Sequence, residues 1–309
     1  MISRLSGGLA LFIGSMAAGW FLRRSGFMTE KRAGHLVRWV IKFPAPASLC
    51  LAFWGMNLRR VEPWLLPMTG FLVAASALIP AYLYARQSRL SRPQTGSFLT
   101  CAFFSNLGYL GAYTAYALYG ETAYALCTLY FVFFTPCFYT FGFSIGSRFG
   151  EKNRNSAARD ILTDEIRLYP FLGMLAGASL SLLGIPRPAF CGSINHVLIT
   201  MDTVLDLVAV GSQIIFISPQ PWLKACLAMC GIKFLYTPVI AWLLVKHFGF
   251  SGLNRFVVML EASTPVGVSP LLLPLLFGLD RRLSNSLWLV TTLVSIPWLL
   301  FVIPALLRF

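Results

Sequence analysis

Five ionisable residues stand inside apolar stretches of this chain: Lys42, Asp202, Asp206, Lys233 and Glu261. Placing such a group in hydrocarbon costs about 2.5–3.5 kcal/mol on insertion scales, so each is a candidate for function. The carboxylates can take up a proton or a monovalent cation, and the ammonium groups can offset them. Asp202 and Asp206 are four residues apart and so share one helix face. Their structural alternative is an ion pair with Lys42 or Lys233 that only locks helices together. Glu261 lies one turn ahead of Thr264-Pro265. Proline has no amide hydrogen, so Pro265 deprives the Glu261 carbonyl of its helical partner, and Pro270 does the same to Val266.

Other chemistries are poorly served. His35, His196 and His247 fall near the ends of apolar stretches, and there is no nucleophile elbow, phosphate loop or zinc motif. Asp202 and Asp206 sit on one helix and do not make the two-helix dyad of an intramembrane protease. No catalytic residue is assigned and an enzyme is not expected. The seven cysteines, an odd number, lie in or beside apolar stretches and suggest neither a disulfide framework nor a metal cluster.

The elements that carry these residues follow from composition. With 57% hydrophobic and 12% charged residues and a mean hydropathy of +0.71, the chain cannot coat one soluble domain with polar side chains. Ten apolar spans are legible, near 6–22, 34–55, 64–85, 96–118, 123–146, 170–184, 196–217, 223–245, 256–277 and 286–307. Most match the roughly 20 residues that cross about 30 Å of hydrocarbon as helix, so the expected fold is an all-α membrane protein of ten helices.

A net charge of +14 would suggest nucleic acid in a soluble protein, but here the basic residues lie in loops and at span edges, where they report topology. Loops after odd-numbered spans hold 16 of the 25 Lys and Arg residues, and the opposite side holds 7. Both termini are therefore expected outside the cytoplasm, and the polar segment Ser147 to Pro170 inside it. Arg23 and Arg24 close the first span as a retained helix rather than a cleaved signal peptide. The polar segment divides the chain into a first five-helix repeat, 1–146, a cytoplasmic linker, 147–169, and a second repeat, 170–309. Because five is odd, the two repeats are inverted, an arrangement of secondary transporters.

Both halves carry the same irregularity. The fourth span holds Ser105-Asn106-Leu107-Gly108, with Gly120 fourteen residues after the Asn; the ninth holds Thr264-Pro265-Val266-Gly267, with Gly278 fourteen residues after the Thr. Freed backbone groups are tolerated at membrane depth only where they line protein or a wet cavity. Paired broken helices in matching places point to the substrate or ion site. Helices 4 and 9 are therefore expected to cross at their breaks, with Asn106, Gly108, Thr264, Pro265 and Gly267 binding substrate.

The runs SNLGYLG with ALYG after it, FPAPASL, RLYPFLGMLAGASLSLLGIPRP, TVLDLVAVGSQIIF and EASTPVGVSPLLLPLLFGLD together resemble the auxin efflux carrier family, whose bacterial members include malonate-type permeases. The resemblance implies spans 1, 2, 6 and 7 as a scaffold, the other spans as a moving transport domain, and a place in a bacterial inner membrane. In the distantly similar bile-acid sodium symporters, a Ser-Asn pair and a Glu help to hold sodium. Ser105, Asn106 and Glu261 resemble those positions, although Pro265 stands where the symporters place an amide side chain.

The expected function is secondary active transport of a small organic anion, a carboxylate, by elevator-like alternating access. A ligand sensor with the transporter fold, or a cation-coupled symporter of an amphipathic anion, is the alternative. Ser105, Glu261, Asp202, Asp206, Lys42 and Lys233 are the candidates for ion or proton coupling. No cofactor is expected beyond a coupling proton or sodium ion. The expected partners are the anion, the lipid bilayer and a second copy of the chain through the scaffold helices, with no nucleic acid.

Overall fold

The computed structural model describes residues 2–59, 61–151, 168–214 and 219–306, and these are helical throughout their regular structure. Most of the linker at 147–169 lies outside the described residues. Among the described residues, six stretches are long and apolar enough to cross a membrane: Glu30–Trp54, Glu62–Gln87, Glu121–Phe149, Phe190–Gly211, Gln220–Phe248 and Arg281–Phe301. Helices Ile2–Arg24 and Tyr169–Leu182 occupy the first and sixth apolar spans. The fourth and ninth spans are each interrupted.

Local sequence explains the interruptions. Helix Arg92–Phe103 opens on a capping box, the Ser91 backbone N–H donating to Gln94 Oε1 at 3.0 Å. It stops where Phe104 turns extended, at φ −93° and ψ 108°. A π-helical stretch, Leu107–Ala112, leads into helix Tyr113–Tyr119, which ends on Gly120 at φ 74°. In the ninth span, helix Gly252–Ala262 is followed by an irregular segment, a short 3-10 turn Ser269–Leu271 and helix Leu273–Phe277, which ends on Gly278 at φ 71°. A positive φ is the conformation glycine adopts without steric cost. Both glycines picked out by the fourteen-residue spacing therefore terminate their helices.

The chain forms two compact units. The first comprises Met1–Trp64, Ala112–Thr128 and Asp164–Ile215, and so contains spans 1, 2, 6 and 7. Its helices touch backbone to backbone through glycine. A Cβ on Gly173 would lie 2.2 Å from the Pro46 carbonyl oxygen, and one on Gly177 would lie 2.1 Å from that of Cys50. In the same way Gly19 meets Val208 and Gly211 meets Met16. Small residues permit this close approach, which supplies packing where lipid removes the hydrophobic drive.

The second unit comprises Leu65–Gly111, Leu129–Thr163 and Phe216–Phe309. Its core is aromatic: Phe103, Phe104, Phe138, Phe143 and Phe277 are buried together with Leu273 and Leu279. Phe143 and Phe277 pack edge to face with centroids 5.0 Å apart, a geometry favoured by the ring quadrupoles.

Candidate functional site

In the second unit the two breaks run antiparallel and pair. Ser105 and Val266 form a bridge in which the Asn106 N–H donates to the Pro265 carbonyl at 2.8 Å and the Gly267 N–H donates to the Phe104 carbonyl at 2.9 Å. Gly267 must be glycine for this approach, since a Cβ there would lie 2.7 Å from the Ser105 carbonyl oxygen.

The bridge diverts amides from their helices, and the orphaned carbonyls find other donors. The Ala102 carbonyl would receive the Asn106 amide in a continuous helix; instead Lys233 Nζ donates to it at 2.6 Å and to Ser105 Oγ at 2.7 Å. The Ala262 carbonyl would receive the Val266 amide, which goes to Thr291 Oγ1 at 3.2 Å; Thr237 Oγ1 donates to the Ala262 carbonyl at 2.8 Å. The Glu261 carbonyl, which Pro265 cannot serve, accepts from Thr264 Oγ1 at 2.8 Å. Lys233 and Thr237, one turn apart, thus cap both half-helices. An ammonium at a helix C-terminus is favoured by the dipole by about 0.3–1 kcal/mol at exposed sites and up to about 2 when partly buried. Lys233 is only 1% exposed, and hydrogen bonds to a charged group contribute about 1.5–3 kcal/mol each toward offsetting its desolvation.

Glu261 is fully buried, and its carboxylate lies against Gly111, where a Cβ would stand 2.2 Å from Oε2. Glu261 lines a cavity of about 10 Å3 together with Ser105, Ala102, Tyr130, Thr237 and Ala262. That is space for a single water-sized sphere. Asn106 is buried, and its Oδ1 has no hydrogen-bond partner among the described residues. Gly108 is exposed, while Thr264, Pro265 and Gly267 are buried. Of the five residues expected to bind substrate, Asn106, Pro265 and Gly267 make the bridge through their backbones, Thr264 caps the Glu261 carbonyl, and Gly108 is exposed.

The other ionisable residues are placed differently. Asp202 and Asp206 belong to helix Phe190–Gly211 of the first unit, both half-buried, within electrostatic reach of each other and of buried Tyr124. Asp202 Oδ1 has no hydrogen-bond partner among the described residues. Lys42 is exposed at a helix end, its ammonium 5.5 Å from the Phe43 ring centroid. Lys233 is engaged at the break. The sequence reading missed Thr237 and Thr291, because a mid-span threonine carries no signal of its own. It also missed, in the first unit, the ion pair of Arg187 with Glu121 at 2.7 Å and the hydrogen bond between Tyr116 and His196.

The sequence model of the membrane transport protein family matches residues 9–167. The chain belongs to this family. It is the family of the auxin efflux carriers, and membership makes this an integral, multi-pass membrane protein. Two archaeal proteins resemble the chain over nearly its whole length. An uncharacterised transporter of Methanothermobacter thermautotrophicus is 23% identical over 90% of each chain. An uncharacterised transporter of Methanocaldococcus jannaschii is 26% identical over 90% of this chain and 91% of its own.

Proposed function

We propose that this membrane transport protein is a secondary active transporter that moves a small organic anion, a carboxylate, by elevator-like alternating access. The observation that carries the reading is the Ser105 to Val266 bridge, where two broken apolar spans meet through their backbones. Irregular backbone of this kind is tolerated in a membrane around a cavity. The anion binds where the second half of the fourth span begins. There Leu107 opens the half-helix with its positive end, Gly108 leaves backbone uncovered, and Asn106 supplies an amide. The chain crosses the membrane ten times as two inverted repeats, with both termini outside the cytoplasm. The charge distribution of the loops and the matched breaks support that topology. The gathering of spans 1, 2, 6 and 7 into one unit supports a scaffold there and a cargo-carrying role for the other.

Glu261 sets the coupling. Two like unit charges about 4 Å apart repel by about 4 kcal/mol at an effective dielectric of about 20, near a thousandfold in affinity. A carboxylate cargo at the break therefore binds best when Glu261 is neutralised by a proton or a cation. The test is uptake of a panel of labelled mono- and dicarboxylates into proteoliposomes with imposed potential, proton and sodium gradients. At least one carboxylate is expected to enter faster than into protein-free liposomes, and Glu261→Gln to lose the gradient response of the parent. Absence of flux across the panel would sink the transport reading. An unaltered gradient response in Glu261→Gln would make Glu261 structural.

A further inference from the structure

We propose that Lys233 is the resident cation of the crossing: its ammonium holds the position, at the Ala102 carbonyl and Ser105 Oγ, that a dissolved monovalent cation would need, so the second unit loads without sodium. The proposal deepens the transport reading and rests on it for its consequence, while its geometry stands alone.

Neutral carbonyl and hydroxyl oxygens at the negative end of a half-helix are the ligands a hard cation takes. Here both are already donated to by Nζ, at 2.6 and 2.7 Å. Four further carbonyls at the two breaks are also engaged: Ala262 by Thr237, Glu261 by Thr264, Pro265 by Asn106 and Phe104 by Gly267. The adjoining cavity, at about 10 Å3, has space for one water-sized sphere. A sodium ion would have to expel the ammonium to gain these two ligands. Glu261 lines the same cavity.

Purified parent, Lys233→Ala and Lys233→Met are unfolded thermally in sodium, choline and ethylammonium chloride at equal ionic strength. The parent is expected to melt at one temperature in sodium and choline. Lys233→Ala should melt lower and recover in ethylammonium, which restores an ammonium to the vacated space. Lys233→Met, which fills that space with an apolar chain, should not recover. These selective effects separate a cation from a packing residue. Should Lys233→Ala fail to fold, radiolabelled sodium binding to the parent and to Lys233→Gln decides: none is expected in the parent and a gain in the variant. A sodium-specific rise in melting temperature or saturable sodium binding in the parent, no gain in Lys233→Gln, or no selective recovery of Lys233→Ala, overturns the proposal. None of these readouts requires a cargo, so they stand or fall apart from the flux assay.

Discussion

Gly111 carries no side chain because the Glu261 carboxylate occupies the place where one would go. A Cβ there would lie 2.2 Å from Oε2 and 2.6 Å from Cδ, so the fully buried carboxylate would have to shift. Gly111→Ala is expected to destabilise the protein by about 1–3 kcal/mol, the usual cost of overpacking, read as a lower melting temperature in detergent. Gly108 is the contrast within the same π-helical stretch. A Cβ there meets only Phe131 Cζ at 3.9 Å, so Gly108→Ala should change stability by no more than about 0.5–1 kcal/mol while reducing flux by covering backbone offered to the anion. A parent-like melting temperature for Gly111→Ala would show that the carboxylate lies elsewhere. Parent-like flux in Gly108→Ala would remove Gly108 from the binding site.

At the scale of the element, Pro265 keeps the ninth span open. Pro265→Ala restores an amide that can donate to the Glu261 carbonyl and lets helix Gly252–Ala262 extend, pulling residue 265 away from the Asn106 N–H. One helical hydrogen bond is gained and one bridge bond lost, each about 0.5–1.5 kcal/mol, so the fold should survive. Flux should fall by about tenfold or more, the equivalent of 1.4 kcal/mol in the bound state. Persistent flux with a closed break would separate the crossing from transport. The breaks themselves were legible in sequence, because proline and glycine act on local backbone and an apolar span makes them conspicuous. That they meet followed from their matched spacing and is borne out by the bridge; the bond that joins them was not legible, since Asn106 N–H to Pro265 carbonyl is a main-chain contact between residues far apart in sequence and leaves no side-chain pattern. Lys233 was legible as an oddity, a charge among apolar neighbours. Its destination was not, because a long side chain can reach many oxygens and only the fold selects the Ala102 carbonyl and Ser105.

At the scale of the whole molecule, the compact units cut across the sequence halves: each draws segments from both, and the fourth and fifth spans each contribute to both units. The sequence halves rest on the charge pattern and the matched breaks, whereas the units describe which spans pack as one body. An elevator-like mechanism requires that one site on the second unit be reached from either side of the membrane while fixed loops are reached from one. Ser88 and Pro186 are exposed, and they follow the third and sixth spans, so the charge distribution puts Ser88 inside and Pro186 outside. In a background lacking reactive native thiols, Pro186→Cys is expected to react with an impermeant maleimide added to intact cells, and Ser88→Cys only after permeabilisation. Gly108→Cys should react from both sides, with cargo and gradient shifting the balance. Reversed labelling of Ser88→Cys and Pro186→Cys would invert the topology. Labelling of Gly108→Cys from one side alone under every gradient would leave a break that binds without being carried, and would turn the reading from transporter to ligand sensor.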